Sequence, residues 1–532
     1  MSVFFTKLKN FFIIIFNALK VAFLAVKKAL KIASNWIMDI ILKKGNFIIF
    51  TAIFTIVALV LRVKVIDFQS PDYLQFLKGW TTQIAENGGF KNFGAIHGYD
   101  YTMPYLYILT TVSYLKPEHW LYGIKAVSIF FDFVLALFIG LSAKKICKTN
   151  TSFLVGYGLA LLLPNVILNS AIWGQCDVMY SAFIIISIYF MLCNKGRLAM
   201  LFYGVSFCLK IQAIFFLPII LLVMAKKKIN FFYFIYSFLA ILALNIPAFC
   251  MGIGFNRAII EPIKTQTSEY TNLSSNAVNL YFIIDKMAHY GMYDGEPNVG
   301  WREWFAPALI AFAIGVVVLA FLIIYRKKFT FTPKRLVLIS YFFAMLVPYV
   351  LPHMHERYWY LSDVLAVLFI ICYRKHFYVA FLSCYSSFRI CLNYIFDTGL
   401  AGENNRILLV LLMLLAIILT FRLIWNELKQ DDEIEFLNDK KVVKSGAISQ
   451  NSGENLDINK NFIVTDLTNG DVVNSSLKQE VVITEQSLEE FLQEETQEEK
   501  DLENVLTKAF GSFEFGEEEG CSCHTEESEH KE

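Results

Sequence analysis

LYGIKAVSIFFDFVLALFIGLSAKK, residues 121–145, decides the fold. From Leu121 to Ala143 its only ionisable groups are Lys125, Asp132 and one tyrosine, and it ends on Lys144 and Lys145. An apolar run of that length crosses a hydrocarbon core of about 30 Å as a helix. The basic end marks the cytoplasmic side, because short cytoplasmic loops collect Lys and Arg. Lys125 and Asp132 lie seven residues apart, on one helix face, and are expected to pair.

The same pattern recurs on both sides of this run. Apolar runs at Asn46–Arg62, Leu121–Ala143, Phe153–Ser170, Val178–Cys193, Leu198–Leu209, Ala213–Met224, Phe231–Met251, Trp304–Tyr325, Arg335–Leu351, Trp359–Cys372, Phe377–Tyr394 and Leu408–Trp425 predict twelve spans. The basic clusters at Lys43-Lys44, Lys144-Lys145, Lys195 with Arg197, Lys226–Lys228, Arg326–Lys328 and Arg374-Lys375 then fall on one side. Arg62 with Lys64 is the exception. Both termini are expected inside, with long outer loops at residues 63–121 and 252–303. Pro104–Leu115 in the first loop is apolar but too short to span, which suits a helix along the membrane surface. The fold class expected is an all-α integral membrane protein.

The two ends of the chain differ from this body. Residues 1–44 carry Lys7, Lys9, Lys20, Lys27, Lys28 and Lys31 among apolar residues, the pattern of an amphipathic helix on an anionic leaflet. Residues 431–532 hold 27 Asp and Glu against 8 Lys and no Arg, a net charge of −19, whereas the whole chain carries +1. The body is therefore cationic and the tail, from residue 427, reads as an acidic, largely disordered cytoplasmic segment that can dock a partner. With its basic residues seated at the membrane, the chain is not expected to bind nucleic acid. Of ten Cys, most sit in or beside apolar runs and behave as small hydrophobes. Cys521, Cys523 and His524 lack a fourth ligand and make a weak metal signal.

Polar groups near a bilayer are costly and usually face a cavity or a site. Here they gather on the outer side, in four clusters. The first loop carries Asp67, Asp72-Tyr73, Trp80, Asn87–Phe90, His97 and Asp100-Tyr101. Carboxylates beside aromatics suit a sugar site with an aspartate as base, or simply a solvated loop. The second cluster is Trp173-Gly174-Gln175-Cys176-Asp177. The third, Lys210-Ile211-Gln212, joins two short segments whose free backbone amides favour an anion. Snorkelling of Lys210 to the interface is the plainer alternative. The fourth is His353-Met354-His355-Glu356-Arg357-Tyr358. This is not a usual zinc spacing, and Arg357 would oppose a cation, so a phosphate clamp fits better.

In this order the clusters resemble the multi-spanning mannosyltransferases related to the second mannosyltransferase of GPI-anchor synthesis, especially their bacterial relatives, in the GT-C class. The resemblance covers residues 46–425 and includes Tyr101–Tyr107 and Asn276–Tyr281. It implies a polyprenyl- or dolichyl-phosphate hexose donor, often mannose, and an acidic residue in the first loop that maps onto Asp72, with Asp100 second. Tyr73, Trp173, Gln175, Asp177, Lys210, Gln212, Asn279, His353, His355, Glu356, Arg357 and Tyr358 are then expected to bind substrate. The resemblance fixes no cofactor, and a divalent metal stays open. The acceptor is a lipid, a glycan or a protein. The membrane is the plasma membrane in a bacterium, the reading favoured here, or the endoplasmic reticulum in a eukaryote. Two rival readings are a transporter or flippase of lipid-linked sugars, and a non-catalytic scaffold. A transporter needs ionisable groups on both faces, whereas these clusters are one-sided, and intact Asp72, Lys210 and Arg357 count against a scaffold.

Overall fold

A computed structural model describes residues 47–95, 99, 101–226, 228–268, 273–283, 299–396 and 403–449. The expected interfacial helix at residues 1–44, His97, Asp100 and residues 450–532 of the acidic tail lie outside these, while 427–449 continue the helix Glu403–Ser449. The chain divides into two units, Met1–Lys444 and Ser445–Glu532, and all that follows concerns the first.

The described chain is almost entirely helical. Six helices are long and apolar enough to cross a membrane: Pro117–Cys147, Phe231–Cys250, Pro307–Arg326, Pro333–Val350, Arg374–Phe396 and Asn405–Lys429. A bent pair, Asn150–Leu162 with Pro164–Trp173, makes a seventh if counted as one span. The other expected spans coincide with shorter apolar helices, among them Phe47–Val63, Asp177–Leu192 and Gly196–Leu209. Pro333–Val350 is buried along nearly its whole length and forms the centre of the body. Pro307–Arg326 instead turns Ile310, Phe312, Ile314 and Leu319 outward, as a lipid-facing helix would.

The run at residues 153–170, read above as one straight span, is bent by 47°. Pro164 is the cause. It has no amide hydrogen to give Ala160, and it pushes Leu163 into extended backbone (φ −60°, ψ 122°). The second half therefore heads off the first and carries Asn165, Asn169 and Trp173 toward the site. The short helix expected at 104–115 runs over Met103–Ser113, with Pro104 in its first turn, where the missing donor costs nothing. It is tucked under the body, with Tyr105, Leu106 and Leu109 buried.

Lys125 and Asp132 do not pair. Lys125 donates to the carbonyls of Ile66 (2.8 Å) and Phe68 (2.6 Å), closing the entry of the first loop. Asp132 takes Arg62 instead (Nε–Oδ2 2.8 Å), with Ser170 Oγ at 2.5 Å. Arg62 completes its set on the carbonyls of Ala58 and Leu161, both at 3.1 Å. This accounts for one of the two basic residues on the wrong side: Arg62 is a buried structural cation rather than a topology signal, whereas Lys64 is exposed. A buried pair broken on one side leaves an uncompensated charge, at about 3–5 kcal/mol. Arg62→Met is expected to lower the melting temperature in detergent sharply, and the double change with Asp132→Leu to recover much of the loss. A double variant no better than the single one would contradict this pairing.

Candidate active site

The site grows from the end of the first span. Ser70 Oγ donates to the carbonyl of Trp173 (2.6 Å) and accepts the amide of Tyr73 (3.2 Å), pinning the first loop to the second cluster. That places Asp72, at the start of the Tyr73–Leu77 turn, facing inward and 5% exposed. Tyr394 donates to Asp72 Oδ1 (2.6 Å), while Gln175 Nε2 and Arg357 Nη1 (3.3 Å) donate to Oδ2. A carboxylate has about four lone-pair sites, so three donors orient it and leave one for a proton.

Gln175 reaches Asp72 because Gly174 turns the chain at φ +78°, a region that favours glycine. Its amide nitrogen donates to Asn169 (2.9 Å), and its carbonyl accepts Ser128 Oγ (2.8 Å). Burial raises the Tyr101 hydroxyl well above its usual range, so it stays protonated and donates to Gln175 Oε1 (3.3 Å). The Gln175 amide is thereby fixed with its NH2 toward Asp72.

Asp177 opens the next helix and holds Lys210 (2.5 Å) and Asn169 (3.0 Å). Lys210 lies in extended backbone (φ −155°, ψ 132°), in the gap between Gly196–Leu209 and Ile211–Phe216. It is 3% exposed and points inward, not out to the interface as snorkelling would require. Arg357 lies over the Trp173 ring (5.7 Å) among three carboxylates: Asp72, Glu356 (3.5 Å) and Asp177 (3.8 Å). Burial alone would lower its pKa; Asp72 and the other acids more than offset that and raise it well above the usual value.

The fourth cluster meets the loop that follows Phe231–Cys250 in a two-residue parallel ladder, Ser274–Ser275 against Met354–His355. His353 donates its amide to Leu273 (2.9 Å). These elements enclose a cavity of about 200 Å³ bordered by Asp72, Trp80, Tyr101, Gln175, Lys210, Gln212, Asn276, His355, Glu356, Arg357, Tyr358 and Tyr394.

The model of glycosyltransferase family 87 matches residues 101–352, just under half of the chain. The chain is a membrane glycosyltransferase. No curated protein matches it. Gln175, Asp177, Lys210, Gln212 and Asn276 fall inside the matched stretch, while Asp72 and His355–Tyr358 fall outside and join it through the fold.

Several expected ligands of this glycosyltransferase stand off its cavity. Tyr73 is buried behind Asp72, and Trp173 supports Arg357 and the Tyr394 ring (5.3 Å). Asn279 caps its own turn, accepting from Phe282 (3.1 Å) and donating to Leu351 (3.1 Å). Asn276, three residues earlier, borders the cavity in its place, at φ +55°. His353 sits in the turn at φ +62° and is not among the lining residues. Asp177 is covered by its own partners. Sequence reasoning missed Tyr394, Gln75, Phe76 and Gln266, which also line the cavity. The signal for Tyr394 was present: Asn393-Tyr394 closes an apolar run at the end opposite its basic flank, Arg374-Lys375. Among the described residues no group of three or more His, Cys, Asp or Glu is arranged to hold a metal ion.

Proposed function

We propose that the protein moves a hexose, mannose foremost, from a polyprenyl- or dolichyl-phosphate donor to a hydroxyl acceptor at the non-cytoplasmic face, with inversion. The observation that carries this is one cavity that unites an oriented carboxylate, Asp72, with two cations, the buried Lys210 and the half-buried Arg357. In a single displacement the acceptor oxygen attacks the anomeric carbon. Its proton passes to Asp72, and the bond to the phosphate oxygen breaks, with the electron pair leaving on the lipid monophosphate. Negative charge grows on the phosphate, where Arg357 and Lys210 stabilise it. Arg357 has five N–H donors and keeps some for phosphate beside its carboxylate partners. Gln212, His355 and Tyr358 complete the donor pocket, and Asp100 is the second candidate for the base.

The proposed topology, twelve spans with both termini inside, has this cavity on the outer side, away from basic clusters on the cytoplasmic side. The bacterial plasma membrane, an acceptor that is a lipid, glycan or protein, and a cytoplasmic partner on the acidic tail complete the reading. The test is a donor panel. Purified protein is expected to consume a lipid-phosphate hexose and to leave nucleotide sugars untouched. Nuclear magnetic resonance of the product should show the anomer opposite to the donor's. Retention would overturn the single displacement, and turnover of nucleotide sugars alone would overturn the donor class.

A further inference from the structure

Three carboxylates gather around Arg357, and they are not equivalent. Asp72 and Asp177 are held by hydrogen bonds from neighbouring side chains. Glu356 is 1% exposed, borders the cavity, and has no hydrogen-bond donor on either oxygen among the described residues. Its nearest cation is Arg357, with Nη1 3.5 Å from Oε1, and His355 Nδ1 lies 3.7 Å from Oε2; neither forms a hydrogen bond with it. A buried carboxylate in that condition is expensive unless something else supplies donors.

The backbone beneath Glu356 is firmly held. The residue begins the Glu356–Trp359 turn, directly after the paired strand Met354–His355, and the fully buried Trp359 anchors the far end. Cys391 Sγ donates to its carbonyl (3.5 Å). The carboxylate is therefore held in the cavity wall by a fixed turn, as an acceptor without a donor among the described residues.

The chemistry of a fitting donor is narrow. A phosphate would be repelled by the carboxylate. A cation would be opposed by Arg357, one side chain away. Neutral hydroxyl groups meet neither objection, and a ring with neighbouring hydroxyls can serve both oxygens. We propose that Glu356 reads the transferred sugar: its two oxygens accept hydrogen bonds from hydroxyls of the hexose whose phosphate Arg357 holds. The assignment rests on the lipid-phosphate donor proposed above and adds to it the residue that distinguishes one hexose from another. A site that hydrogen-bonds a substrate hydroxyl strongly rejects the analogue that lacks or misplaces it.

The test compares two ligands on the full-length protein in detergent, by calorimetry: polyprenyl-phosphate mannose and bare polyprenyl phosphate. Glu356→Ala is expected to weaken the sugar-bearing lipid on the order of 10- to 100-fold and to leave the bare lipid phosphate unchanged. Glu356→Gln keeps the shape and one acceptor oxygen, and should fall between, with a melting temperature near the wild type's. Equal losses for both lipids would mean that Glu356 merely positions Arg357, and would overturn the proposal. So would no loss for either, or a wild type that binds both lipids equally. A wild type that binds neither lipid would instead refute the donor class, and this assignment with it.

Discussion

Asp72→Asn is expected to reduce kcat by about 100- to 10,000-fold, the range over which a positioned general base contributes. The substitution is nearly isosteric, and the Asn carbonyl can still accept from Tyr394, which lies 2.6 Å from Oδ1. The amide has no lone pair basic enough to take the acceptor's proton, so the chemical step suffers while the cavity keeps its shape. Its NH2 would face Gln175 Nε2 and Arg357, which donate to Oδ2 in the wild type. A melting curve must therefore accompany the kinetics. Loss of kcat with donor affinity retained identifies an interaction used in the transition state. A variant with full kcat would remove Asp72 from the role of base.

Arg357 gives the second large effect. Arg357→Ala removes the cation that the site's three carboxylates share and is expected to lower kcat/KM about 100- to 1,000-fold through lost stabilisation of the leaving phosphate. Part of any loss would be structural, because Asp72, Asp177 and Glu356 are left facing one another. Arg357→Lys separates the two contributions. Lysine restores the charge but not the planar fork that can hold phosphate and carboxylate together. The expected result is a stable protein with intermediate activity. Lysine matching arginine in kcat/KM would reduce the role of Arg357 to charge alone; lysine as poor as alanine, with a normal melting curve, would make the fork decisive.

Much of this site was legible because a membrane makes polar residues conspicuous. Gln175, Lys210 and Arg357 each stand beside the end of an apolar run and Asp72 lies in the loop that follows the first one, and the alternation of basic clusters assigns all of these to one side. Legibility failed where geometry depends on a partner far along the chain. Arg62 looked like a misplaced topology signal because Asp132 lies 70 residues away, and only packing joins them. Lys125 and Asp132 share a face, yet a carbonyl cage captured the lysine first. Pro164 was visible inside its run, but its consequence, a bend that delivers Asn169 and Trp173, needed the backbone. Tyr394 resembled the interfacial aromatics that end many spans. Nothing local in Asn276–Tyr281 says which Asn meets the cavity; the short ladder with Met354–His355 decides it for Asn276.

The decisive measurement follows a labelled hexose on polyprenyl phosphate in proteoliposomes that contain the purified protein and a membrane extract as acceptor. The expected result is that label leaves the lipid and appears on the acceptor, with lipid monophosphate formed in equal amount. Label that stays on its lipid but changes leaflet would contradict transfer chemistry and make the protein a transporter.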